Sequence, residues 1–106
     1  MDKNVMALIE ELLISNAKLR QQAGDGEWDV FLDESVAYTM GMRTLCEIDL
    51  IQMAQHNKAA VSGQLAQLLE NDVLLTQAIQ GRLTTISTEL SAMRKTSSVA
   101  KAYTAV

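Results

Sequence analysis

The sequence predicts an all-α fold: an antiparallel three-helix bundle with a long third helix and a short C-terminal helical segment. Three observations carry this. No proline interrupts the 106 residues, so no ring forces a helix to stop. Clusters of β-branched residues, the usual mark of strands, are few. Apolar residues recur at three- and four-residue intervals over most of the length, which is the period of a helix with one buried face.

The first helix is expected over about residues 3–23, where Val5, Leu8, Ile9, Leu12, Asn16 and Leu19 share one face. Gly24-Asp25-Gly26 ends it, reading as a C-cap, a turn and a fresh start with Asp25 as N-cap. Glu27 and Asp29 then place negative charge at the positive end of the next helix dipole. The second helix runs from about Gly26 to Cys46. One side carries Trp28, Phe31, Leu32, Ser35, Tyr38, Thr39, Met42 and Cys46; the other carries Val30, Ala37, Gly41 and Ile48. Small residues on that second stripe admit a close neighbour, so this helix is expected between two others.

After a polar connection at 52–57, Asn57 is the expected N-cap of a third helix reaching about Lys95. At 1.5 Å per residue it spans on the order of 55 Å, against a radius of gyration of about 13 Å for a compact chain this size. It must overhang, break or pack on a second chain. Thr84–Thr88 is its weakest stretch by propensity. The expected organisation is a bundle over 1–96 and a tail over 97–106, whose Val99, Ala102, Tyr103 and Val106 form a short amphipathic stripe too small to be stable alone.

Composition narrows the function classes. One cysteine and one histidine leave no intrachain disulfide and no usual zinc or iron–sulfur ligand set, so no cofactor is expected. A net charge of −4 and a pI near 4.8 disfavour direct nucleic-acid binding, which needs a basic face. The longest apolar run, Val5–Ile9, is far short of a membrane span. The start Met1-Asp2-Lys3-Asn4 has no secretory pattern, so a cytoplasmic location is expected. Paired carboxylates, a phosphate-binding glycine loop and a nucleophile–base pair are absent from the pattern, and binding rather than catalysis is the expected activity.

Asp72 falls in the middle of the third helix's apolar arc of Val61, Leu65, Leu68, Leu69, Leu75, Ile79, Leu83, Ile86, Leu90 and Met93. A carboxylate there needs a hydrogen bond, either from Tyr38 or Ser35 or from a partner in a groove. Leu74, Ala78, Gly81, Thr85 and Ala92 form a second strip, for the first helix or a dimer seam. His56 raises the reading of a histidine phosphotransfer module. Its place in a connection, with no glycine before Gly63, favours an ordinary surface histidine.

Glu27-Trp28-Asp29-Val30-Phe31-Leu32, followed by Glu34 and Tyr38, resembles the opening of the second helix in FliT-type flagellar export chaperones. A second block is similar to the same family: Leu65, Leu68-Leu69, Asn71-Asp72, Ile79, Arg82-Leu83 and Leu90. Lys101-Ala102-Tyr103 is a third, weaker match, and the order of the three blocks carries the resemblance. It implies a chaperone that binds the C-terminal helix of the filament-cap protein in a hydrophobic groove. It also implies docking to the export ATPase complex and anti-activator binding to the flagellar master transcription regulator. In the family a C-terminal helix folds over the binding surface; with three residues after Tyr103, the resemblance implies a shorter regulatory segment here.

The groove is expected between Tyr38 and Met42 of the second helix and Leu65, Leu68, Leu69, Asp72, Leu75 and Ile79 of the third. Val99, Tyr103 and Val106 are expected to cover part of it in the free protein. Two apolar faces on each of the last two helices exceed what three helices can bury, so a homodimer is expected. The competing function is a dimeric helical adaptor without an export role.

Overall fold

The computed structural model describes the backbone of residues 2–104 and the side-chain environments of residues 2–96. Three helices follow in order: α1 Asp2–Gly24, α2 Trp28–Glu47 and α3 Gln55–Thr104, with a single 3-10 turn at Leu50–Gln52 between the last two. They run up, down and up, so α1 and α3 are parallel. Among the described residues there is no strand, and no helix is long and apolar enough to cross a membrane.

The break after α1 is a Schellman motif. The Gly26 amide donates to the Ala23 carbonyl at 3.2 Å, and the Glu27 amide donates to the Gln22 carbonyl at 2.9 Å. Gly26 takes the left-handed conformation this needs, φ 74°, which a side chain would strain. Asp25 therefore lies inside the turn and is not the N-cap of α2. Glu27 holds that position, without a side-chain cap. Asn57 is not the N-cap of α3 either. The Ala54 carbonyl accepts from the Lys58 amide, while the Asn57 side chain donates to Asp2 Oδ2 at 2.8 Å. The same oxygen accepts from the Ala54 amide, fixing the start of α1 beside the start of α3. These bonds hold the Asp2 carboxyl below the usual carboxylate range.

The core is a heptad seam on each helix. Val5, Ile9, Leu12, Asn16 and Leu19 of α1 are buried at alternating four- and three-residue steps, the spacing of left-handed coiled-coil packing. Phe31, Tyr38 and Leu45 of α2 and Val61, Leu68 and Leu75 of α3 are buried at seven-residue steps. Both α2 and α3 pack on α1, with little close backbone approach between them. The central helix is thus α1, not the second helix as its two stripes suggested. Of the small-residue stripe, Gly41 faces α1: a Cβ there would lie 2.8 Å from Leu12 Cδ2.

α3 is 50 residues long while its two neighbours have 23 and 20. Its far half therefore stands beyond the bundle as an arm, giving extents of 76 × 24 × 20 Å and a radius of gyration of 20.5 Å. The helix passes through Thr84–Thr88 unbroken and does not stop near Lys95. Docking of Val99, Tyr103 and Val106 over the groove lies outside the described residues.

Candidate functional site: two apolar clefts joined by a polar bridge

Where α2 and α3 lie side by side on α1, one edge of α3 faces α2. Leu65, Asp72, Ile79 and Ile86 recur along it every seven residues. Two open clefts lie along this edge. The first, about 550 Å³, lies against the connection after α2, where Leu50, Ile51 and Met53 meet Val61, Leu65 and Leu69, with Lys58 and Ser62 at the rim. The second, about 240 Å³, is formed by Trp28, Phe31 and Leu32 of α2 and Ile79, Leu83 and Ile86 of α3.

Asp49 shapes the first cleft by accepting from the Ile51 amide at 3.0 Å, which caps the 3-10 turn. Ile51 is left 81% exposed as a result, while Met53 turns inward and plugs the end of the core. Trp28 shapes the second. It packs edge-on against Phe31 with ring centroids 5.0 Å apart, and the Arg82 guanidinium lies 5.5 Å from its ring centroid. Asp29 completes that rim, so this cleft offers an apolar floor between one cation and one anion.

Between the clefts a polar bridge crosses from α1 through α2 to α3. Asn16 Nδ2 donates to Tyr38 Oη at 3.0 Å, and Tyr38 Oη donates to Asp72 Oδ1 at 2.8 Å. Arg20 Nε donates to Asn16 Oδ1 at 2.8 Å, so the wholly buried Asn16 has partners on both sides of its amide. Of the two internal donors open to Asp72 in the sequence, Tyr38 is the one it meets; Ser35 turns instead to the Leu32 carbonyl. Burial, opposed in part by the Asn16 hydrogen bond and reinforced by Asp72, pushes the Tyr38 hydroxyl up to about 12.

The eight residues expected in the groove divide into two groups. Tyr38, Leu68 and Leu75 are buried and belong to the core, a correction to their expected place in an open groove, because α1 lies beneath them. Met42, Leu65 and Asp72 are half-buried at the α2–α3 edge, and Leu69 and Ile79 reach solvent. One continuous groove is accordingly replaced by two clefts with the Tyr38–Asp72 bridge between them. Trp28, Arg82, Leu50 and Ile51 belong to the clefts but fell outside the expected set. The apolar pair Leu50-Ile51 ahead of a polar connection was the available signal for the first cleft. Of the second strip on α3, Ala78 is half-buried while Leu74, Gly81, Thr85 and Ala92 face solvent. His56 is exposed in the first turn of α3.

Among the described residues no cluster of histidine, cysteine, aspartate and glutamate could hold a metal ion. A family model described as flagellar protein FliT matches residues 3–105. No solved structure matches the chain.

Proposed function

The chain belongs to the FliT family of flagellar proteins, and from that premise we propose that it is a cytoplasmic export chaperone holding the C-terminal helix of the filament-cap protein along the α2–α3 edge. The observation that carries the reading is the pair of apolar clefts on one edge of one helix. Their centres, near residues 63 and 82 of α3, are about 28 Å apart at 1.5 Å per residue. A partner helix of about five turns, with a leucine-like anchor at each end, fits both at once. The Tyr38–Asp72 bridge between them gives the partner's polar middle a hydrogen-bonding counterpart.

The same family premise supports docking to the export ATPase complex and binding to the flagellar master transcription regulator. The exposed stripe of the α3 arm supports a homodimer, which is also the setting of the second reading, a dimeric adaptor without export cargo. In this proposal the segment Ser97–Val106, with Val99, Tyr103 and Val106 on one stripe, limits access to the clefts of the second copy in the homodimer, since α3 runs unbroken to Thr104 and leads away from those of its own chain.

Co-expression with the filament-cap protein followed by size exclusion separates the readings. A co-eluting complex that Leu69→Glu and Ile79→Glu each abolish, with helical circular dichroism unchanged, supports the chaperone. These positions are 60% and 37% exposed, so the fold tolerates the charge. Absence of a complex with the unaltered chain leaves the adaptor as the better reading. Deleting 97–106 is expected to tighten the complex while leaving the melting temperature nearly unchanged.

A further inference from the structure

From the level where α1 ends and α2 begins, α3 continues with an apolar seam that its own chain leaves largely open, the first turns of α2 flanking one side of Ile79, Leu83 and Ile86. Ile79, Leu83, Ile86, Leu90 and Met93 follow at steps of four, three, four and three. Leu83, Leu90 and Met93 are 59%, 48% and 66% exposed. That alternation is the heptad of a two-stranded coil, with Leu83 and Leu90 at a and Ile79, Ile86 and Met93 at d.

We propose that this seam is covered by the same seam of a second copy, running antiparallel. In that arrangement a faces d across the interface. Leu83 of each copy meets Ile86 of the other, and Ile79 meets Leu90. The pairing deepens the homodimer reading above and rests on it.

Charge selects the occupant and its direction. Residues 1–81 carry twelve acidic and five basic side chains, whereas residues 82–106 carry one acidic and four basic ones. An antiparallel pair lays each basic arm along the acidic bundle of the other copy. A parallel pair would set Asp29 and Asp33 of the two bundles side by side and the basic arms together, like against like. The flanking residues agree. Arg82 and Glu89 immediately precede Leu83 and Leu90, at g positions, and antiparallel coils place g opposite g. Each Arg82 then meets a Glu89 of the other copy, twice by symmetry. Within one helix the two are seven residues apart, about 10 Å along the axis, too far to pair. The partner arm also runs level with the start of α2, so it roofs the Trp28–Ile86 cleft and competes there with the filament-cap helix.

Sedimentation equilibrium of the full chain tests this. The unaltered chain is expected to dimerise in the micromolar range. Leu90→Glu, on an exposed site, is expected to weaken the dimer by about tenfold or more with helicity unchanged. Glu89→Arg sets arginine against arginine and is expected to weaken it by about fivefold. Equimolar mixing of Glu89→Arg with Arg82→Glu chains is expected to restore the dimer as a heterodimer. Rescue of Glu89→Arg by Arg94→Glu in the same chain would point to parallel pairing and overturn the antiparallel assignment. A dimer indifferent to Leu90→Glu and Glu89→Arg overturns the seam while leaving self-association standing. A monomer at every concentration overturns both.

Discussion

The two halves of α3 carry the same kind of apolar spacing and meet opposite fates. Val61, Leu68 and Leu75 are 1–3% exposed, while Leu83, Leu90 and Met93 are 48–66% exposed. Nothing in their local sequence separates them, since each set sits on a continuous helix with polar residues between. The difference is that α1 lies beneath the first set and has ended before the second. There only the first turns of α2 reach Leu83, and among the described residues nothing reaches Leu90 or Met93. Burial in an elongated bundle is decided by whether a neighbour reaches that level, and hydropathy only decides which face will accept one.

Truncation on either side of this divide is the sharpest way to break the comparison. Leu68→Ala removes a 1%-exposed side chain and is expected to cost about 2–5 kcal/mol in urea unfolding. Leu90→Ala, on the arm, is expected to change the stability of the monomer by less than about 0.5 kcal/mol. Equal effects would mean that the arm is packed in solution.

Tyr38→Phe comes next in size. It leaves Asp72 and the buried Asn16 amide each short of a partner, at an expected cost of about 1–3 kcal/mol at neutral pH. The bridge also sets an alkaline limit. Because the folded chain holds the Tyr38 proton up to about 12 against 10.0 for the free phenol, its contribution is fully present below pH 10 and is lost as pH rises from 10 to 12. In Tyr38→Phe that part of the alkaline loss is expected to disappear, as read by denaturant midpoints at pH 9 and pH 11.

The smallest effect belongs to the exposed edge between α1 and α2. Glu34 accepts from Gln22 Nε2 at 2.8 Å and pairs with Lys18 at 3.0 Å. The Lys18 hydrogen bond, then that of Gln22, holds its carboxyl below 4.5. Its contribution is therefore present above that value and is lost as pH falls through the lowered folded value. Glu34→Gln is expected to flatten the acid side of the stability profile slightly below pH 5, and salt to blunt the difference.

Much of the molecule was legible residue by residue. The α1 stripe from Val5 to Leu19 marked the face that is buried, and Gly24-Asp25-Gly26 marked the break. Asp72 inside an apolar arc called for a donor, and Tyr38 was one of two internal residues able to supply it. The length of the third helix required an overhang, a break or a second chain, and the overhang is what the fold adopts. These readings succeed because helical period and hydrogen-bond need are properties of a short stretch of chain.

Which helix occupies the middle was not legible, because α1 and α2 both offer faces that a neighbour could cover. The groove was misread for the same reason. Leu65, Leu68 and Leu75 share an apolar arc, and only the position of α1 makes Leu68 and Leu75 core while Leu65 stays at the edge. The Trp28–Arg82 contact joins residues 54 positions apart, a separation at which no local pattern operates. The sequence by itself determined that the chain is helical, where it turns and which stripes seek cover, since these follow from backbone period and side-chain chemistry. Only the tertiary structure decided which stripe is covered by which neighbour and which is left open, because that depends on how far helices of 23, 20 and 50 residues overlap when packed side by side.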